Sequence, residues 1–256
     1  MLELYHAHPS TCSQKVRLCL AEKGLDYTSR PVNLRTNENL TPAYLALNPN
    51  GVVPTLVHDG HVILDSSVIC EYLDEVFADP PLGPRDPVGR AHMRKWLRFL
   101  EEVPTAAIRA PTFQMALTPF RGVDPDKFKA EHADVRPLRK HFYRRMGPQG
   151  FSQADIDASL DQLDLTIRRM DDALAKGPWL MGESYSLADI VVTPTIDRID
   201  DLGLADMWAN YPRVADWYDR IKARPSYAAA YYPGARMSES GITITPLKER
   251  NPQQIG

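Results

Sequence analysis

With 256 residues the chain is long enough for one large domain or two modest ones, each with its own core. Apolar residues make up 43% and charged residues 25%, an ordinary soluble globular composition. A formal net charge of -3 lacks the basic excess of a general nucleic-acid binder, so a nucleic-acid partner is not expected.

In chain order, the N-terminus runs directly into LELYHAHPSTCSQKVR, with no basic-then-apolar leader, and no apolar run approaches the ~20 residues of a membrane span. Cys12, Cys19 and Cys70 form no CxxC pair and no metal-ligand cluster, which suits a reducing compartment, and a cytoplasmic location without a membrane partner is expected. Leu2–His6 reads as a short strand, followed by a polar turn at His8–Thr11. Residues 13–23 have helical spacing: Val16, Cys19 and Leu20 share one face, Lys15, Arg17, Glu22 and Lys23 are expected to face water, and Gly24 suits the position that ends the helix. Tyr27–Leu34 alternates as a second strand and Pro42–Leu47 holds a short helix. Thr55–Val57 and His61–Leu64 flank Asp59-Gly60, a two-residue hairpin signal, and a helix from Ser67 to Phe77 completes the order βαβαββα.

Residues 78–87 hold four prolines and a glycine and cannot continue a helix. Helical patterns follow at roughly 88–110, 153–175, 186–201 and 211–222, with a less regular stretch between 111 and 150. From Tyr231 the chain is rich in Pro, Gly and Ser and reads as an extended tail. The expected division is 1–78 as a small α/β domain, 79–87 as linker, 88–230 as an all-helical domain and 231–256 as an extension.

Three segments carry candidate chemistry. Ser10 stands just before the first helix, where a hydroxyl ordinarily caps the N-terminus. Its other use is to hold a ligand thiol as thiolate: a thiol of pKa ~8.5 is mostly protonated at neutral pH, and a hydroxyl donor with a helix dipole stabilises the anion. In Asn48-Pro-Asn-Gly-Val-Val-Pro54, a cis Val53-Pro54 bond would turn the Val53 N–H and C=O outward to meet an extended peptide. Asp65-Ser66 is either a plain helix cap or a carboxylate site, in which the Ser66 hydroxyl and helix N–H groups bind the anion and Asp65 lies near a ligand ammonium.

In this order and spacing the three segments resemble the glutathione transferase superfamily. Ser10-Thr-Cys-Ser-Gln-Lys-Val-Arg17 is similar to the serine-type active-site turn of the zeta and theta classes, NPNGVVPTLV to the cis-proline loop, and Asp65-Ser66-Ser-Val-Ile-Cys-Glu-Tyr-Leu73 to the γ-glutamyl motif. Tyr185-Ser-Leu-Ala-Asp-Ile190 resembles the superfamily's capping box, which assigns Asp189 to folding and not to catalysis. The resemblance spans roughly residues 1–225. It implies an α/β thioredoxin-like N-terminal domain plus an all-α C-terminal helical domain, glutathione as co-substrate, no metal, and a homodimer. It carries Ser10 over as thiolate stabiliser, Val53 and Pro54 as the main-chain site for the cysteinyl moiety, and Asp65 with Ser66 as the γ-glutamyl site.

The same turn leaves rival readings open. Beta- and omega-class relatives use a cysteine there, so Cys12, near a helix N-terminus, makes a glutathione thiol-exchange enzyme an alternative. Zeta-class isomerases also carry Ser-x-Cys, which keeps a maleyl-type isomerase in view. Arg144-Arg-Met-Gly-Pro-Gln-Gly-Phe-Ser152, Arg169-Met-Asp-Asp-Ala-Leu174, Trp179-Leu180 and the 68–77 helix resemble the bacterial β-etherase branch, whose members cleave β-aryl ethers by thiolate attack. That chemistry needs a large aromatic pocket, for which His8, Phe113, Met115, Phe120, Phe142 and Tyr143 are candidates; ordinary helical core is the competing role. A reading of another class is a non-catalytic glutathione-transferase-like binding module. His6 and His8 have no third ligand at metal-site spacing.

Overall fold

Buried Leu2, Leu4 and His6 alternate with half-buried neighbours, and this places β1 (Leu2–His6) inside a four-stranded sheet ordered β2-β1-β3-β4. β2 (Thr28–Pro31) runs parallel to β1, whereas β3 (Thr55–His58) and β4 (His61–Leu64) are antiparallel additions. The computed structural model describes residues 1–117, 125–133, 135–147 and 150–247. Asp59 (φ 48°) and Gly60 (φ 83°) make the β3–β4 turn with two left-handed residues, as the Asp-Gly pair predicts. The second strand stops at Pro31, short of Leu34. The ladder to β1 ends with the Val32 N–H donating to the His6 carbonyl at 2.8 Å, and Asn33 then folds its side chain back to accept the Arg35 N–H at 3.0 Å.

Helices α1 (Thr11–Glu22), α2 (Pro42–Leu47) and α3 (Ser66–Val76) complete the thioredoxin-like half expected from the sequence. Gly24 (φ 62°) ends α1: its N–H bonds the Ala21 carbonyl, and the Leu25 N–H bonds that of Leu20. Fully buried Cys19 and Cys70 lie where α1 and α3 pack.

The second half is helical: α4 (Pro87–Glu102), α5 (Pro104–Ala107), α6 (Arg109–Thr112), α7 (Pro125–Ala133), α8 (Lys140–Arg144), α9 (Gln153–Leu174), α10 (Leu187–Asp201), α11 (Pro212–Lys222) and α12 (Pro225–Ala230). The single helix expected over 88–110 is interrupted at Val103, because Pro104 has no N–H to continue the ladder and restarts the chain at a new first turn. α9 buries one face through Ile156, Leu160, Leu163, Ile167, Met170 and Leu174, at the spacing of an amphipathic helix. α10 is enclosed on nearly every side and forms the centre of this half.

Three expectations for this helix are overturned. Lys15 and Arg17, placed on a water-facing side, are each only 2% exposed, and Lys23 at its C-terminal end is buried too, its ammonium paired with Asp74 and donating to the Pro80 carbonyl. α1 packs not only on α3 but also on α10 and α12, so its polar side meets protein. Lys15 pairs with Glu101 and donates to Ser67 Oγ at 3.2 Å. Arg17 donates to the carbonyls of Ala7, His8 and Ala230 and lies over the Tyr232 ring.

The tail is pinned as far as it is described, and residues 248–256 lie outside the described residues. Arg236 pairs with Asp197 and Asp200, the N–H groups of Met237 and Ser238 bond Asp201, and the Thr245 N–H reaches the Met115 carbonyl. Among the described residues no helix is long and apolar enough to cross a membrane.

Candidate active site

The strand–loop–helix junctions of the thioredoxin-like half converge on a cleft of about 110 Å³, closed on its far side by the helical half. Cys12, Val53, Pro54, Asp65 and Ser66 line it together. These are five of the sequence candidates, brought to one place from three separate segments. Larger hollows exist, such as one of about 520 Å³ beside Trp96 and Arg169, but they gather none of these groups.

The 48–54 loop is held from beneath. Asn48 donates to the Val52 carbonyl (2.9 Å) and to Thr55 Oγ1 (3.0 Å), and the Tyr44 hydroxyl donates to the same Val52 carbonyl (2.8 Å). Gly51 has φ 59°, a left-handed conformation that favours glycine, whereas a Cβ there would meet only the movable Leu40 Cδ2 at 2.9 Å. The Val53-Pro54 bond is cis. Among the described residues the Val53 N–H and C=O make no hydrogen bond, which leaves one donor and one acceptor for an extended peptide.

Asp65 has φ 69°, unusual for a residue with a side chain. Its Oδ1 accepts the N–H groups of Ser67 (2.9 Å) and Val68 (3.2 Å), and so caps α3. The Ser66 N–H at the first helical position and the Ser66 hydroxyl have no partner among the described residues. Asp65 therefore caps the helix, and the Ser66 N–H and hydroxyl are left unspent at its N-terminus.

Ser10 caps α1. Its Oγ accepts the Ser13 N–H at 3.3 Å, which leaves the hydroxyl proton uncommitted. Ser10 itself does not line the cleft; Cys12, the second residue of the helix, does. Lys15 and Arg109 both lie within electrostatic range of the Cys12 sulfur. Burial opposes the Lys15 charge, but Glu101 outweighs it and holds the ammonium above its ordinary pKa. Burial likewise opposes the Glu101 charge, and Lys15 with Ser67 holds that carboxyl below its usual range. The pair is ionised, and it ties α1, α3 and α4 together at the edge of the cleft.

The candidates for a second-substrate pocket are dispersed. His8 is exposed and lines a separate groove of about 510 Å³ with Val32, Arg35 and Ser240. Met115 and Tyr143 are buried, and Phe113 packs edge-on against Phe142 and Tyr143 with centroids 5.1 and 5.9 Å apart. These rings spend their surface on one another. Phe120 lies outside the described residues. The wall facing Val53 and Ser66 is supplied instead by Glu101, Leu138 and Arg139, which no motif singles out.

The turn that carries Ser10 is clamped from behind by the tail. His8 Nδ1 meets the Tyr232 hydroxyl at 2.6 Å, Gln14 donates to the Ala235 carbonyl at 2.8 Å, and buried Arg198 donates to the Pro9 carbonyl. Arg198 is in turn paired with Asp201, the residue that holds Met237 and Ser238. His6 is committed to Ser29 Oγ and Arg17; burial, then the charge of Arg17, lowers its pKa to about 4, so it is neutral at physiological pH. A chain ended after Ala230 is expected to speed amide hydrogen exchange over residues 10–14 by ~10-fold or more, from the loss of two or three ~1 kcal/mol bonds. Unchanged protection there would show that the tail does not hold the turn.

The chain is similar to known proteins over both halves. The family pattern described as glutathione S-transferase, N-terminal domain, matches residues 9–76, and that of the glutathione S-transferase C-terminal domain matches residues 152–220. The protein LigF of Sphingobium sp. is 30% identical over 236 residues, covering 88% of this chain and 91% of its own. The crystal structure of the β-etherase LigF superposes with a TM-score of 0.79 over 90% of this chain and 98% of that one. The maleylacetoacetate isomerase of Pseudomonas aeruginosa is 31% identical, covering 90% and 95% of the two chains. A tetrachloro-p-hydroquinone reductive dehalogenase of Sphingobium chlorophenolicum is 28% identical, with 90% and 95% coverage.

Proposed function

The chain belongs to the glutathione S-transferase family, and from that premise we propose that it is an enzyme that binds glutathione in the Val53–Ser66 cleft and directs its sulfur at a hydrophobic, aromatic electrophile. The observation that carries this reading is the pair of unspent peptide groups on Val53 facing the unspent N–H and hydroxyl of Ser66. A γ-glutamyl tripeptide satisfies both: its carboxylate takes Ser66, its ammonium lies toward Asp65, and its cysteinyl unit pairs with Val53. The sulfur then falls at the N-terminus of α1, where the Ser10 hydroxyl donates to it and the helix dipole favours its negative charge.

Similarity to LigF makes cleavage of a β-aryl ether the preferred reaction. The thiolate attacks the carbon that bears the phenoxy group, the C–S bond forms as the C–O bond breaks, and the phenolate leaves to take up a proton. A second reading has its own support: Cys12, not Ser10, lines the cleft, which favours thiol exchange with a mixed disulfide between Cys12 and glutathione. We further propose a homodimer, as the family's usual assembly.

Calorimetry with glutathione, followed by turnover with a β-aryl ether, a chloronitrobenzene, a maleyl-type isomerisation substrate and a mixed disulfide, tests these readings. Binding with ether or chloronitrobenzene turnover supports the transferase, and exclusive turnover of the disulfide supports Cys12. No glutathione binding at millimolar concentration would sink both and leave a non-catalytic module.

A further inference from the structure

Arg109, on α6, is half-buried, and Arg139, just before α8, lines the cleft beside Cys12 and Glu101. Among the described residues neither guanidinium makes a hydrogen bond or a close ion pair, although Arg109 lies within electrostatic range of Glu101 and Tyr143. Their neighbour Arg136 differs: it donates to the Tyr143 hydroxyl at 2.6 Å. The two free guanidiniums are close enough to act on each other. Burial first, and then the charge of Arg139, lowers the Arg109 pKa to about 10, which still leaves it cationic at neutral pH.

Two unpaired cations in one partly desolvated wall are costly, and a fold normally offsets such a cost with a carboxylate. The carboxylate at hand, Glu101, acts on Arg109 from a distance but is bonded to Lys15 and Ser67, so it pairs with neither guanidinium. Asp65, on the opposite wall, is committed to the first turn of α3. The helical side of the cleft therefore presents net positive charge toward the position of the reacting sulfur.

We propose that Arg109 and Arg139 form an anion subsite for the second substrate, so that the preferred electrophile is an aromatic compound carrying a carboxylate. This rests on the glutathione-binding reading above and narrows it to a substrate class. In that placement the tripeptide's γ-glutamyl carboxylate is taken by Ser66, and Arg139 lines the helical side of the cleft, with Arg109 within electrostatic range of both Arg139 and Cys12. Guanidinium groups suit the task because two parallel N–H donors match the two oxygens of a carboxylate.

The test compares two product-like conjugates by calorimetry, S-(4-carboxybenzyl)glutathione and S-benzylglutathione, with glutathione itself as the reference. The native protein is expected to bind the carboxylated conjugate ~10- to 100-fold more tightly than the benzyl one, the worth of a charge-assisted hydrogen bond. Arg109→Met and Arg139→Met should each pull that ratio toward one, and Arg139→Lys should restore part of it. Dissociation constants taken as a ratio on one preparation do not depend on its folded fraction, so partial misfolding does not mimic the result. Equal affinities in the native protein would overturn the subsite and leave glutathione binding standing. So would variants that weaken glutathione and both conjugates by one common factor, since the arginines would then serve the tripeptide. If neither conjugate nor glutathione binds, the functional reading itself fails and the subsite falls with it.

Discussion

Replacing Asp189 with alanine is expected to lower the unfolding free energy by about 3–5 kcal/mol, the range for breaking a buried hydrogen-bond network. Asp189 is wholly buried. Its Oδ1 accepts the Leu180 N–H (3.0 Å) and the Trp217 indole N–H (2.9 Å), and its Oδ2 accepts the Ser186 N–H (3.0 Å) and hydroxyl (3.2 Å). Alanine would strand these donors around a small cavity at the start of the central helix. Urea denaturation at pH 7 measures the loss, and a change under ~1 kcal/mol would contradict the assignment. The same residue gives a pH signature. Burial first, resisted by those hydrogen bonds, raises its pKa to about 6, above the ordinary carboxylate value. The folded state thus holds the proton at pH values where the unfolded chain has released it. Its contribution to stability is therefore greatest below about pH 4 and declines as pH rises to ~6, by ~3 kcal/mol for a shift of about two units. Subtracting the Asp189→Asn curve from that of the native protein should isolate this slope, since other carboxylates titrate alike in both. A difference curve flat between pH 4 and 6 would overturn the assignment.

Asp189 was legible in the sequence because the capping box is local: Ser186 and Asp189 are three residues apart, and both bonds follow from that spacing. The Asp59-Gly60 hairpin and the Gly24 helix end were legible for the same reason. The long-range partners were not. Periodicity in α1 shows that Lys15 and Arg17 share a polar side, but not that a second layer covers it. Their partners, Glu101 and the Ala230 carbonyl, lie 86 and 213 residues away. Nor does helical spacing distinguish an aromatic residue that lines a pocket from one that packs on its neighbours, and Phe113 and Tyr143 do the latter. The cleft itself was half visible. Val53, Pro54, Asp65 and Ser66 belong to compact motifs, whereas Glu101 and Arg139 reach it through the path of the helical half, which no local pattern encodes.

Ser10 is the position where one local rule serves two roles, and a set of three substitutions separates them. Ser10→Ala is expected to lower kcat/KM by ~10²-fold or less, since a neutral donor to sulfur contributes only ~1–3 kcal/mol. It should also raise the pKa of bound glutathione, followed as thiolate absorbance against pH. The same change removes a helix cap and so costs about 1 kcal/mol of stability, which alone would leave turnover by the folded fraction intact. Ser10→Asp distinguishes the roles. Aspartate is among the best N-caps and would still accept the Ser13 N–H, but ionised it has no proton to donate and sets a negative charge beside the sulfur. Stability should therefore return with Ser10→Asp while activity falls at least as far as in Ser10→Ala. Recovery of both would make Ser10 a cap and nothing more, and attention would pass to Cys12. There, Cys12→Ala is expected to leave ether cleavage standing if sulfur is held by Ser10, and to abolish turnover if a Cys12–glutathione disulfide lies on the path.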